Sequence, residues 1–193
     1  MLKLRQLQQK KHNELKQREE SRNSSTVSSK LSPARVRLAR DIKDLVLPPT
    51  VSVQIINSPE DTQNHPPLIH ITISPDDGYY FGGSFKFSLT INENYPIDPP
   101  KLLCLNKIFH PNISTDGKIC LNILREDWTP ALDLQTIVIG LLFLFLEPNP
   151  LDPLNKEAAQ LLSDDKINFY ETVRLTMAGS ALNNIKYDCV LSI

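Results

Sequence analysis

Residues 108–131 read Ile-Phe-His-Pro-Asn-Ile-Ser-Thr-Asp-Gly-Lys-Ile-Cys-Leu-Asn-Ile-Leu-Arg-Glu-Asp-Trp-Thr-Pro-Ala. The segment holds His110, Asn112, Cys120 and Trp128, and too many turn formers to be one helix or one strand. It reads as an irregular loop that presents Cys120. A free thiol is most often a small buried hydrophobe, and that reading suits Cys104 inside the apolar run Leu102–Leu105. Cys120 differs because its neighbours are polar or turn-forming, with Asp116-Gly117 predicting a tight turn just before it. On local context alone, packing and nucleophilic catalysis both stay open. A papain-like hydrolase would need a His as base and a third group to orient it. His110 is followed at once by Pro111, and His65 and His70 lie in or beside strands, so no protease signature forms.

Upstream, four runs read as strands: Val51–Ile56, Leu68–Ser74, Phe85–Ile91 and Lys101–Leu105. Phe85, Phe87, Leu89 and Ile91 alternate with Lys86, Ser88 and Thr90, the period of a half-buried strand. The connections are short, which predicts an antiparallel meander rather than β-α-β units. Before them, Ser32-Pro33 predicts a helix start and Leu38, Ile42 and Leu45 recur at helical spacing, up to Pro48-Pro49. Downstream, Asp133 predicts a cap for a helix through Leu146 that is apolar nearly all round and so buried against the sheet. It is shorter than the roughly 20 residues that span a bilayer. Two more helices are expected at about 154–163 and 165–178, with Gly179 as the stop. The class is therefore α+β.

The ends are different in kind. Residues 1–40 carry 11 Lys and Arg against 3 Asp and Glu, leaving 10 against 19 for the rest. No aromatic residue precedes Tyr79, which removes the stacking groups a nucleic-acid arm would use. Leu2, Leu4 and Leu7 sit among basic and amide side chains and cannot bury enough area to order that stretch alone. The expected organisation is a flexible basic docking arm at 1–30, a folded core at 31–180 and a tail at 181–193. Three thiols without Cys-x-x-Cys spacing predict neither a disulfide framework nor a zinc site, and the amino terminus shows no export signal. No metal, cofactor, nucleic acid or membrane is expected.

The residues also carry a family resemblance. His110-Pro111-Asn112-Ile113, Gly117, Ile119-Cys120-Leu121 and Trp128-Thr129-Pro130-Ala131 resemble the centre of ubiquitin-conjugating enzymes. Tyr95-Pro96, Pro99-Pro100 and Asp152-Pro153-Leu154 extend the match. Met1-Leu-Lys-Leu4, Cys120 through Trp128, and Leu144 through Ala159 are similar to the neddylation branch, which carries a Nedd/Rub ubiquitin-like modifier. The resemblance implies an N-terminal helix, a four-stranded antiparallel meander, the active-site loop, a central helix and two C-terminal helices. It also implies a transferase working through a Cys120 thioester, in a pathway where ATP is spent by a heterodimeric activating enzyme.

Further roles are carried over with the resemblance. Asn112 would be the oxyanion donor, or alternatively a loop scaffold. Asp152 would orient and desolvate the acceptor lysine, or alternatively cap the next helix. His110 and Pro111 would hold the turn. Arg37 and Arg40 would dock the activating enzyme, and the arm with Met1, Leu2, Leu4 and Leu7 would reach that enzyme or, N-acetylated, a co-ligase. Ile97, Pro130 and Ala131 would meet a RING-type ligase, although many ubiquitin carriers have an aromatic residue where Ile97 stands. The acceptor would be a cullin lysine, in cytoplasm and nucleus. The competing readings are an ordinary ubiquitin carrier and a non-catalytic variant of the fold.

Overall fold

The computed structural model describes residues 32–56 and 68–191. The expected arm at 1–30 therefore lies outside the described residues. Helix α1 spans Pro33–Lys43, with Ser32 as N-cap, its hydroxyl accepting from Arg35 N, and Pro33 in the first turn where a missing N–H costs nothing. Leu45 falls just beyond this helix. Its inward stripe is Ala34, Leu38 and Asp41, at steps of four and three, so the buried face includes an acid.

Strands β1 (Val51–Ile56), β2 (Leu68–Ile73), β3 (Phe85–Thr90) and β4 (Lys101–Cys104) form one antiparallel sheet in sequence order. Register pairs Ile69 with Leu89, Ile71 with Phe87 and Ile73 with Phe85, all six inaccessible to solvent. That face receives α2 (Leu134–Leu146), capped by the Asp133 carboxylate on Thr136 N as its sequence predicts. Leu134, Ile137, Val138, Leu141, Leu144 and Phe145 point inward, and Phe145 stacks on Phe85 at 4.4 Å. Burying a side chain of this size stabilises the fold by about 1.5–3 kcal/mol. The helix is not covered all round, however. Ile139 and Phe143, four residues apart, lie on an open face at 38% and 53% exposure.

Helices α3 (Lys156–Asp164) and α4 (Lys166–Met177) complete the body. The carboxylate of Asp165 caps α4 on Ile167 N and Asn168 N, and Gly179 at φ +86° ends the helical region. The segment read from sequence as a tail is folded: β5 (Ala181–Leu182) and β6 (Ile185–Lys186) make a short hairpin. Beyond it Tyr187 and Val190 are buried in the core, and Val190 bonds through its backbone to Ser84 and Met177. Two buried side chains and those backbone bonds outweigh the weak local signal. No helix among the described residues is long and apolar enough to cross a membrane.

Candidate functional site

The loop between β4 and α2 is built on the His110-Pro111-Asn112 turn. The imidazole of His110 is inaccessible and stacks 4.8 Å from the Tyr80 ring. Its Nδ1 accepts from Asn112 N at 2.9 Å, so the ring proton sits on Nε2, which donates to the Leu144 carbonyl at 2.9 Å. That carbonyl is in the last turn of α2, where helix carbonyls lack partners of their own. Burial lowers the His110 pKa to about 4, partly opposed by the Leu144 carbonyl, so the ring is neutral scaffold rather than proton carrier. Pro111, also buried, accepts from Leu154 N and Asn155 N at 2.9 and 3.0 Å. The turn thereby fastens the 149–155 segment beside itself.

Gly117 fixes the approach to the thiol. It adopts φ +86°, and a Cβ there would stand 2.4 Å from the Cys104 carbonyl oxygen. Its own carbonyl accepts from Cys104 N at 2.8 Å, and Cys120 N donates to the Asn112 carbonyl at 2.8 Å. These bonds set Cys120 on the wall of an open cleft of about 220 Å³, lined also by Asn112, Asn122, Asn149 and Asp152. The residue is only 6% exposed, with its sulfur facing polar groups across the cleft. Sγ donates to Asp152 Oδ2 at 2.8 Å. Burial first, then that hydrogen bond and the nearby acids, push the thiol up to about 11, with Arg125 opposing. At neutral pH this favours the protonated thiol and leaves less thiolate than an ordinary thiol carries.

Asp152 and Cys120, 32 residues apart, are brought together in the cleft. The helix-cap alternative for Asp152 is excluded, because Asn155 supplies the cap by accepting from Ala158 N. The side-chain amide of Asn112 is turned toward the neighbouring loop. Its Nδ2 donates to the Asn149 carbonyl at 2.7 Å and the Asp152 carbonyl at 3.3 Å, while Oδ1 accepts from Asn149 N at 2.9 Å. Both ends of the amide are engaged with the neighbouring loop, the contacts that the scaffold alternative calls for. Cys104 is buried and pushed up to about 12, and Cys189 is exposed. Among the described residues, no cluster of three or more His, Cys, Asp or Glu is placed to hold a metal ion.

The outlying residues divide. Ile97 is 74% exposed, and Pro130 and Ala131 are exposed. Arg40 is exposed on α1. Arg37 is partly exposed and engaged within the chain: its Nε bonds Asp41 Oδ1 at 2.8 Å, Nη1 the Pro130 carbonyl at 2.7 Å and Nη2 the Leu132 carbonyl at 2.8 Å. Asp41, its partner, also accepts from the Tyr95 hydroxyl, a contact the sequence did not announce. Its one local signal is the Arg37–Asp41 spacing of four. Met1, Leu2, Leu4 and Leu7 lie outside the described residues.

Comparison with known proteins agrees with this geometry. The family described as "Ubiquitin-conjugating enzyme" matches residues 37–177. The chain is 55% identical, over the full length of both, to the NEDD8-conjugating enzyme UBC12 of Saccharomyces cerevisiae. It is 43% identical over 175 residues to the Nedd8-conjugating enzyme UbcE2M of Drosophila melanogaster, covering 91% of this chain and 94% of that one. The solved structure of S. cerevisiae Ubc12 superimposes with a TM-score of 0.83, covering 99% of this chain and all of that one.

Proposed function

The chain belongs to the ubiquitin-conjugating enzyme family, and from that membership we propose that it is a carrier of NEDD8, held as a thioester on Cys120. The observation that carries the modifier's identity is the likeness to proteins named NEDD8-conjugating enzymes, over the full length in yeast and over nine-tenths of the chain in fly. The cleft supports the chemistry: one thiol, one carboxylate in contact with it, and a rigid neutral turn behind both.

In the first step the Cys120 sulfur attacks the carbonyl carbon of the modifier's C-terminal thioester on the activating enzyme. The new C–S bond forms as the old one breaks, and the Cys120 proton leaves for the departing sulfur or solvent. One thioester replaces another, so the exchange is nearly balanced and the site needs no cofactor. In the second step a neutral lysine amine attacks the same carbonyl, an amide forms and the Cys120 thiol is regenerated. A lysine of reference pKa about 10.4 must lose its proton to attack. Asp152, at the mouth of the cleft, orients that amine and accepts its hydrogen bond. Asn112 acts by holding Asp152 and Asn149 in place.

The partners follow as part of the same proposal. Arg40 and the arm with Met1, Leu2, Leu4 and Leu7 meet the heterodimeric activating enzyme, and the arm also meets a co-ligase. Ile97, Pro130 and Ala131 meet a RING-type ligase, and a cullin in cytoplasm or nucleus supplies the lysine. The test mixes the chain with ATP, NEDD8 and its activating enzyme, beside a parallel reaction with ubiquitin and its own activating enzyme. A reductant-sensitive adduct with NEDD8, converted by Cys120→Ser to a reductant-stable ester, is expected. Charging by ubiquitin in preference to NEDD8 would reject the modifier, and charging that survives Cys120→Ala would reject the site.

A further inference from the structure

Two loops without regular secondary structure carry the exposed apolar tips Ile97 and Pro130-Ala131. Nothing in their sequence holds them at a set distance, yet both are tied to one point on α1. The Arg37 guanidinium uses all three nitrogens, two on the carbonyls of Pro130 and Leu132 and one on Asp41. Asp41, 6% exposed, turns its other oxygen to the Tyr95 hydroxyl, and Arg37 Cζ lies 5.8 Å from the centre of the Tyr95 ring. Tyr95 leads directly into Pro96 and Ile97, and the Pro96 carbonyl accepts from Trp128 Nε1 at 3.0 Å, closing the circuit back to the second loop. Burial and the Asp41 bond hold the Tyr95 hydroxyl protonated far above its ordinary range, while the same carboxylate keeps Arg37 charged.

We propose that Arg37 is a positioning residue, which sets the spacing of the Ile97 and Pro130-Ala131 tips so that they present one preformed surface to a ligase. This rests on the reading that those tips bind a ligase. Arg37 makes no contact of its own with that partner. The planar fork matters more than the charge, because two carbonyls and a carboxylate lie in the directions that a guanidinium can satisfy together. A lysine at this position brings one compact charge and cannot hold all three. Without the fork the second loop loses two backbone anchors, and a partner must then order it on binding, which lowers affinity.

The test uses the full chain with Arg37→Ala and Arg37→Lys, the second retaining a cation beside Tyr95 so that folding is kept. In the free protein, both variants are expected to shift the amide resonances of Ile97, Asp98, Ala131 and Leu132. Titrated with an isolated RING domain of a neddylation ligase, both weaken binding about tenfold. Discharge of the charged enzyme to free lysine, without ligase, stays within about twofold of the parent. Unmoved amides in either loop, or full recovery of RING affinity in Arg37→Lys, would overturn the proposal. If the parent chain itself ignores the RING domain, the ligase reading fails, and with it the functional half of this proposal. The amide shifts then still judge whether Arg37 sets the loops.

Discussion

The Cys120 thiol donates its proton to Asp152 at 2.8 Å, so the group proposed as nucleophile rests against an anion rather than a base-activating cation. Burial is the largest cause of its raised pKa, followed by the hydrogen bond to Asp152, and both favour the protonated form. The resting enzyme is thereby guarded against casual alkylation and oxidation, which require thiolate.

The first prediction is that Asp152→Ala lowers the pKa of Cys120. The substitution removes the acceptor of the S–H bond and a nearby negative charge, both of which raise it. Burial remains, so the new value stays above the ordinary 9 while falling below about 11. The pH dependence of iodoacetamide alkylation, measured in a Cys189→Ser background to silence the exposed thiol, gives the midpoint directly. A midpoint that does not fall would mean that the Asp152 contact has no hold on the thiol.

His110 yields a stability prediction. Its folded pKa is about 4 against an ordinary 6.5, so the unfolded chain binds more protons between those values. The stabilisation is fully present above about pH 6.5 and is lost as pH falls through that window. At 1.36 kcal/mol per unit, about 2 kcal/mol should be gone by pH 5. Denaturant unfolding at pH 7 and pH 5 measures it, with His110→Gln as comparison. The variant should be less stable at pH 7 yet flatter between the two. Parallel losses in both proteins would assign the acid sensitivity to other groups.

Gly117→Ala tests the backbone that delivers the thiol. A left-handed residue bearing a Cβ costs about 1–2 kcal/mol, and here the added carbon would also press on the Cys104 carbonyl. Thermal unfolding should report a loss of at least about 1 kcal/mol. Charging of Cys120 should slow as well, since Gly117 links β4 to the thiol loop through its hydrogen bond with Cys104.

Periodic elements were legible because local chemistry decides them. The central helix starts and stops where Asp133 and the run to Leu146 say it should, and all four strands agree within a residue at their ends. Asp152 was legible as a site residue only through the family pattern. Its placement depends on Asn155 taking the cap of α3, a competition between two capping side chains that spacing alone does not resolve. The bonding of Arg37 was not legible, because two of its three bonds go to carbonyls more than 90 residues away. A basic residue on a partly exposed helix face looks the same in sequence whether it docks a partner or braces a loop. The carboxyl-terminal segment was obscure for a similar reason: Tyr187 and Val190 are single apolar residues whose burial comes from distant elements.

Asn112 separates the two accounts of this cleft most sharply. Its amide holds the Asn149 backbone from both sides and reaches the Asp152 carbonyl, so Asn112→Ala frees the segment that carries the Asp152 carboxylate. Breaking buried hydrogen bonds of this kind costs about 1–3 kcal/mol, and unfolding should show that loss. A loosened cleft wall disturbs both transfers, so charging of Cys120 and discharge to lysine should slow by similar factors. An oxyanion donor predicts a different pattern. There the fold would be nearly untouched, and discharge would fall about 10²–10³-fold, as when a single donor to a tetrahedral intermediate is removed. For that to happen the amide would have to leave two carbonyls and swing toward the thioester. Single-turnover rates for each step, set beside the unfolding free energy of the same variant, decide between a brace and a catalytic donor.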